Sequence, residues 1–98
     1  MTLRLNGDTT KVINITQCSE NIHKEASTDS YVRDLSIQTT EAMDTLQAML
    51  TSGAITQVEV IEGNNTLLTT TKYTVVNNIS SIIRDGATQQ FISLGMAA

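Results

Sequence analysis

The chain is short of the residues that supply cross-links and large core contacts. Its 98 residues include no proline, no tryptophan and one cysteine, Cys18, and aromatic residues make up 3%. One cysteine forms no internal disulfide, so stability must come from packing. The three aromatic rings, which bury roughly 150–250 Å² each when enclosed, fill little of a core. We therefore expect an isolated copy to be marginally stable.

Charge is also scarce, and its balance excludes two classes of partner. Charged residues make up 16% of the chain and the net charge is −4. The few Lys and Arg are scattered, which disfavours nucleic acid because phosphate binding needs several cations on one surface. No apolar run approaches the ~20 residues that cross a bilayer, and the first residues lack the apolar segment of a secretory signal. We predict no nucleic-acid or membrane partner and synthesis in the cytoplasm.

Uncharged polar residues take the place of the missing charges. The sequence has 16 Thr, 8 Ser and 7 Asn, a composition that favours strands and turns over helices. The length fits one domain over residues 1–98. Within it we predict an N-terminal hairpin over 1–16, turning at Asn6-Gly7-Asp8. Residues 17–30 show neither a helical nor a strand period, which indicates a polar loop.

Residues 31–94 are predicted to form the main part of the fold. A strand at 31–38 precedes a helix from Glu41 to Leu50, whose apolar residues recur every three or four positions. Thr39 or Thr40 is expected to cap its start, and Gly53 to end it in a left-handed conformation. Two hairpins then follow, one with strands at 55–61 and 66–76, the other turning at Asp85-Gly86. Residues 95–98 are expected to be a frayed or docked tail.

This order of elements predicts the fold class. Strands and one helix occur without sustained strand-helix-strand alternation, which favours antiparallel over parallel pairing. We expect an α+β domain, a small and mostly antiparallel sheet of hairpins with one amphipathic helix packed on it.

Groups that could carry chemistry are few. Cys18 and His23 could form a nucleophile and base, but no partner at a suitable spacing would orient the imidazole. With Glu20 and Glu25 they could form a metal site, but the ligand types are mixed and the paired C-x-x-C or H-x-x-x-H spacing is absent. The carboxylate pairs are Glu59 with Glu62 and Asp29 with Asp34. Glu59 alternates with valines and is expected to face water, and Asp85 is expected to form a turn. We therefore predict no enzymatic activity, no metal, no cofactor and no small-molecule substrate.

Two apolar features allow more than one interpretation. Met43 and Met49 could line a ligand groove, but their helical spacing beside leucines favours a core position. The run from Leu67 to Val76 could be an edge strand that pairs with another chain, or an ordinary inner strand. The edge interpretation predicts a protein interface at Leu67, Leu68, Thr70, Lys72, Tyr73, Val75 and Met96.

The segment order over residues 31–94 resembles a known group of proteins. Leu35-Ser-Ile37, the acidic helix, the segment from Ile55 to Leu68, the Lys72-Tyr73 pair and a last hairpin carry this resemblance. It is to the small virion-associated proteins encoded among the structural genes of tailed phages and prophages of Gram-positive bacteria. The resemblance implies a structural role in head, neck or tail, with symmetric copies and no catalysis.

The leading hypothesis is therefore a phage virion or tail protein, made in the bacterial host cytoplasm, that assembles with other virion proteins and with copies of itself. An alternative is a small acidic inhibitor or immunity-type protein that blocks a basic site on an enzyme. The two differ in charge placement, because an inhibitor needs its acidic side chains on one exposed patch.

Overall fold

A computed structural model describes residues 1–25, 27 and 30–96, without the side chains of residues 25 and 84. Over this part the chain forms eight strands and one helix: β1 (Thr2–Leu5), β2 (Val12–Asn14), β3 (Gln17–Glu25), β4 (Ser30–Thr39), α1 (Met43–Thr51), β5 (Val58–Glu62), β6 (Asn65–Thr70), β7 (Tyr73–Arg84) and β8 (Ala87–Met96). All the strand pairs are antiparallel.

The strands form two four-stranded sheets rather than the single sheet expected from the sequence. Sheet A has the order β2-β1-β5-β6, and sheet B has the order β3-β4-β8-β7. Each sheet is made of two hairpins that meet at its centre. The mostly antiparallel architecture with one short helix is confirmed, and the single sheet was wrong because the chain changes sheet at points that the sequence pattern does not mark.

One such point lies inside the predicted strand at 66–76. Thr71 and Lys72 interrupt it, so β6 belongs to sheet A and β7 to sheet B. The backbone N–H of Lys72 donates to the Thr70 hydroxyl, which supports the bend. A run of β-branched residues on both sides of this bend gives continuous strand character, which is why the sequence indicated one strand.

The predicted polar loop at 17–30 is the second correction. Residues 17–25 form β3, which pairs with β4 without a register shift from Gln17↔Gln38 to Glu25↔Ser30. Most side chains of β3 are exposed on both faces, so no apolar alternation marks it as a strand. Backbone pairing with β4 specifies β3, and a period of hydrophobicity does not report that pairing.

The N-terminal hairpin is confirmed, and Asn6 anchors it. Asn6 and Gly7 both have positive φ, at 58° and 65°, a combination that suits a tight hairpin turn. The Asn6 Oδ1 atom accepts from the backbone N–H groups of Thr56 and Gln57 at 2.6 and 3.1 Å and from the Thr56 hydroxyl at 3.0 Å. Its Nδ2 donates to the Ala54 carbonyl at 2.8 Å. The turn therefore fixes the segment that leads into β5.

The helix is present, but its predicted caps are wrong. It begins after Ala42, which makes no side-chain capping bond, and it ends at Ser52 in a right-handed conformation. The Thr39 hydroxyl instead lies in the core, where it donates to the Asn14 carbonyl at 2.5 Å and accepts from the Glu41 N–H at 3.1 Å. Leu46 and Leu50 are buried.

The buried apolar side chains of both sheets and the helix form one cluster. Sheet A contributes alternate residues of β1, β2 and β5, including the predicted inward pair Val58 and Val60, and sheet B contributes alternate residues of β4 and β8. Met49 packs against this cluster, as the core interpretation predicted, and Met43 is half-buried. The last hairpin turns at Asp85-Gly86 as predicted, with φ of 53° and 79°. Gly95 and Met96 belong to β8, and residues 97 and 98 lie outside the described residues.

Candidate interaction surfaces

The edges of the two sheets are the main surface feature of the described residues. Sheet A ends in β2 and β6, with 3 and 6 residues, and sheet B ends in β3 and β7, with 9 and 12 residues. An edge strand presents backbone N–H and C=O groups that another chain can pair with. Natural proteins use proline among other residues to block such pairing, and this chain contains none.

Exposed apolar side chains concentrate on these edges. Of the nine large apolar residues that are exposed, six lie on edge strands, and each edge carries at least one: Val12, Ile22, Leu67, Val75, Ile82 and Ile83. An exposed apolar side chain beside unpaired backbone groups is suited to contact with another polypeptide.

The predicted interface residues divide into two groups. Leu67, Leu68 and Thr70 lie on edge strand β6, where Leu67 is 59% exposed and Leu68 packs against the core. Val75 lies on edge strand β7 and Met96 at the end of β8, and both are exposed. The predicted surface is therefore spread over both sheets.

The remaining two predicted residues differ in exposure. Lys72 is exposed in the short connection between the sheets. Tyr73 is opposite Met96 in the β7–β8 ladder, but its side chain is 1% exposed. A surface role for Tyr73 is thus a wrong prediction, because a ring next to a polar connection was needed to fill a core with few aromatic residues.

Tyr73 has a different role, since it ties β7 to edge strand β3. Its hydroxyl donates to the Glu20 carboxylate. Burial, followed by the hydrogen bond and the negative charge of Glu20, raises the pKa of Tyr73 to about 12. Tyr73 therefore stays protonated at neutral pH and holds the Glu20 carboxylate in place.

Sequence reasoning missed the apolar residues of the β3–β4 hairpin. Ile22 and Tyr31 are 64% and 75% exposed. The last β4–β8 pair is Asp34↔Gly95, so this hairpin extends past the end of β8. The signal in the sequence was Ile22, the one large aliphatic residue in a polar segment, and the loop interpretation concealed it.

A groove of about 860 Å³ opens where the hairpin passes the end of β8, and Asp34 and His23 lie in it with Ser93. The His23 Nδ1 atom is 3.9 Å from Asp34 Oδ2, and Asp34 Oδ1 is buried without a hydrogen-bond partner among the described residues. Asp34 lies on β4, which is between β3, the strand of His23, and β8, the strand of Ser93. A nucleophile, base and orienting acid need the histidine in the middle, so this order does not form that relay.

The other candidate catalytic pairs are not brought together. Cys18 and His23 lie five positions apart on β3, which places them on opposite faces and roughly 17 Å apart along the strand. Burial, and then the charge of Glu20, raises the pKa of the Cys18 thiol, which makes it less reactive at neutral pH. The described residues contain no group of three or more His, Cys, Asp or Glu that could hold a metal ion. The Glu25 side chain, part of the predicted metal site, lies outside the described residues. Asp29, predicted to pair with Asp34, also lies outside them.

Glu59 does not face water alone, as the sequence suggested. It is opposite Arg4 in the β1–β5 ladder, and the guanidinium binds both carboxylate oxygens, with Nε to Oε1 at 3.0 Å and Nη2 to Oε2 at 2.9 Å. The hydrogen bonds from Arg4 lower the pKa of Glu59. Glu62 instead pairs with the amino group of Met1 at 3.0 Å. Each carboxylate of this predicted pair thus has a separate cationic partner.

Acidic side chains are dispersed over the described part of the molecule. Asp8 lies in the first turn, Asp44 on α1, Glu59 on sheet A, Glu20 and Asp34 on sheet B, and Asp85 in the last turn. With Glu41 before α1 and Glu62 at the end of β5, the eight described acidic side chains are spread over both sheets, the helix region and two turns. No described helix is both long and apolar enough to cross a membrane.

Comparison with known proteins adds no assignment to this geometry. No protein family, curated protein or solved structure matches the chain.

Proposed function

We propose that this chain is a non-catalytic structural protein of the virion, associated with the phage tail or neck, that acts by protein–protein assembly. Its partners are other virion proteins and further copies of itself. The phage assignment rests on the resemblance in segment order over residues 31–94, and the mode of action rests on the surface.

The observation that carries the mode of action is the apolar residue on every sheet edge. Val12, Ile22 and Leu67 mark three of the edges, and β7 carries three further exposed apolar residues. Strand addition uses backbone hydrogen bonds for affinity and alternate side chains for specificity. Exposed edges are a liability in a protein that works alone, whereas an assembly covers them.

Charge placement supports assembly over the inhibitor alternative. An acidic inhibitor would converge its carboxylates on one surface to match a basic site. Here Glu59 and Glu62 are already paired with cations of the same chain. These two carboxylates are therefore neutralised within the chain and are poorly suited to an acidic binding patch.

The test is to express the chain alone and with the products of the genes that flank its own, and to measure mass by size-exclusion chromatography with light scattering. We expect complexes larger than the 10.6 kDa chain that contain a flanking structural protein at fixed stoichiometry. Leu67→Lys and Ile82→Lys should weaken those complexes, whereas Asp44→Lys, on the exposed side of α1, should not. A stable monomer that associates with none of these products would overturn the proposal.

A further inference from the structure

The four edges differ in how well they are protected against pairing. Strand β2 has only 3 residues, and β6 has 6 and pairs with β5 across a register shift. Strand β7 is long, but its ladder with β8 shifts register twice, at Tyr73/Val75 and Val76/Asn78. Short strands and bulges are both devices that block edge pairing. These three edges are therefore partly protected.

Edge strand β3 lacks both devices. Its 9 residues pair with β4 in one unbroken register, so its outer edge is the longest regular edge among the described residues. Ile22, at the middle of β3, is 64% exposed. The charges of β3, among them Glu20 and Lys24, disfavour pairing with most strands, so a strand that pairs with this long regular edge must carry complementary charges.

The sequence of β3 is self-complementary about Ile22. The segment reads Glu20-Asn-Ile22-His-Lys24, and residues 20, 22 and 24 share one face of the strand. In an antiparallel pair of two such segments centred on Ile22, each Glu20 lies opposite Lys24 of the partner, and the two Ile22 side chains meet. On the other face, Asn21 lies opposite His23 of the partner.

We propose that two copies of this chain pair antiparallel through their β3 strands, with the twofold axis at Ile22. The product is a continuous eight-stranded sheet, β7-β8-β4-β3-β3-β4-β8-β7, and the interface is isologous. The inference deepens the proposed assembly function, on which it rests for its biological meaning, by naming one partner and one surface.

The charge pattern selects this register over its neighbours. An axis at Asn21 would place Glu20 opposite Ile22 and Lys24 opposite Cys18, and an axis at His23 would place Ile22 opposite Lys24. Only the axis at Ile22 gives opposite charges directly across the interface on both sides of an apolar contact.

Disulfide trapping tests the register directly. Opposed residues in an antiparallel pair have Cα atoms roughly 4.5–5.5 Å apart, within the range that a disulfide spans. In a Cys18→Ser background, Ile22→Cys should form a covalent dimer under mild oxidation within minutes at micromolar concentration. The matched control is Leu67→Cys, which is similarly exposed on β6 and should cross-link far more slowly. Equal rates for the two variants would overturn the proposed register.

Charge reversal tests the same interface without cysteine. Lys24→Glu and Glu20→Lys should each weaken self-association by at least about tenfold in sedimentation equilibrium, because each places like charges across both sides of the axis. A mixture of the two variants should form a heterodimer, because every cross-interface pair is then opposite in charge. Asp44→Lys, on the exposed side of α1, is the control and should leave association unchanged.

The outcomes separate this inference from the proposed function. Glu20→Lys also removes the hydrogen-bond acceptor of Tyr73, so the folding of this variant is checked by circular dichroism. If Glu20→Lys is unfolded, the separate variants Lys24→Glu and Ile22→Cys provide the test. Loss of self-association with retained binding to a flanking structural protein is the result expected for Lys24→Glu. A chain that binds such a protein but never dimerises overturns the β3 interface alone, whereas a β3 dimer that binds none overturns the virion role alone.

Discussion

Sheet A and sheet B contain four strands each, but the core covers the central strands of sheet A and the β3 edge of sheet B to different extents. In sheet A, β1 and β5 alternate buried and half-buried residues along most of their length. In sheet B, β3 has no fully buried residue from Gln17 to Lys24, and the first half of β4 is largely exposed. Strands β1 and β5 are therefore held mainly by burial of one face, whereas β3 is held mainly by backbone pairing with β4 and by polar contacts such as that from Tyr73 to Glu20.

The largest test of this difference compares a core residue of sheet A with a surface residue of β3. Leu3 is fully buried, and Leu3→Ala should lower the free energy of unfolding by about 2–5 kcal/mol. Ser19→Ala on β3 should change it by less than about 0.5 kcal/mol. Urea denaturation followed by circular dichroism measures both. Similar losses for the two variants would contradict the contrast between β1 and β3.

A smaller effect is expected at the turn that anchors sheet A. Asn6→Ala removes the side-chain contacts to residues 54, 56 and 57 and forces alanine into a positive φ, so we expect a loss of about 1–3 kcal/mol. Asn6→Gly loses the same contacts but tolerates the backbone conformation. Thermal unfolding should rank the wild type above Asn6→Gly and Asn6→Gly above Asn6→Ala. If Asn6→Ala were more stable than Asn6→Gly, the positive φ at this position would not be a main cause of the loss of stability.

The last effect appears only above pH 10 and concerns the contact between Tyr73 and Glu20 within sheet B. The pKa of Tyr73 rises from 10.0 to about 12 on folding, so the unfolded chain loses this proton at lower pH than the folded chain. The contribution to stability is complete below pH 10 and declines as the pH rises from 10 to about 12. Urea denaturation over this range should show the decline.

Tyr73→Phe is the control for that decline. Both proteins are compared in a Cys18→Ala background, because the raised pKa of the Cys18 thiol acts in the same direction. The Phe variant should show a smaller loss of stability between pH 10 and 12. If stability falls equally steeply with pH in both proteins, ionisation of the Tyr73 hydroxyl does not cause the decline.

Much of the fold could be predicted where one face of a strand is buried or a turn needs special residues. Asn6-Gly7 and Asp85-Gly86 marked two hairpins, and the alternation around Val58 and Val60 marked a buried strand. Strand β3 could not be predicted in this way, since its exposed faces carry no period. The change of sheet at Lys72 could not be predicted either, because β-branched residues continue on both sides of it.

The candidate surface was partly predictable for the same reason. Leu67 is apolar within a polar strand, so its exposure on an edge follows from the pattern. Ile22 lies in a segment that was interpreted as a loop, and its importance depends on knowing that residues 20, 22 and 24 share a face. Tyr73 was misplaced because the sequence does not show which of its few rings fills the core.

The alternation of the hairpins between the sheets has a consequence for synthesis on the ribosome. Sheet A takes its strands from residues 2–14 and 58–70, and sheet B from 17–39 and 73–96. Neither sheet is a contiguous fragment, so no cut between two hairpins yields a piece with a complete sheet. As the nascent chain emerges, one edge of β4 has no paired strand until β8 leaves the exit tunnel. Nearly all of these residues must therefore be synthesised before both sheets can form completely.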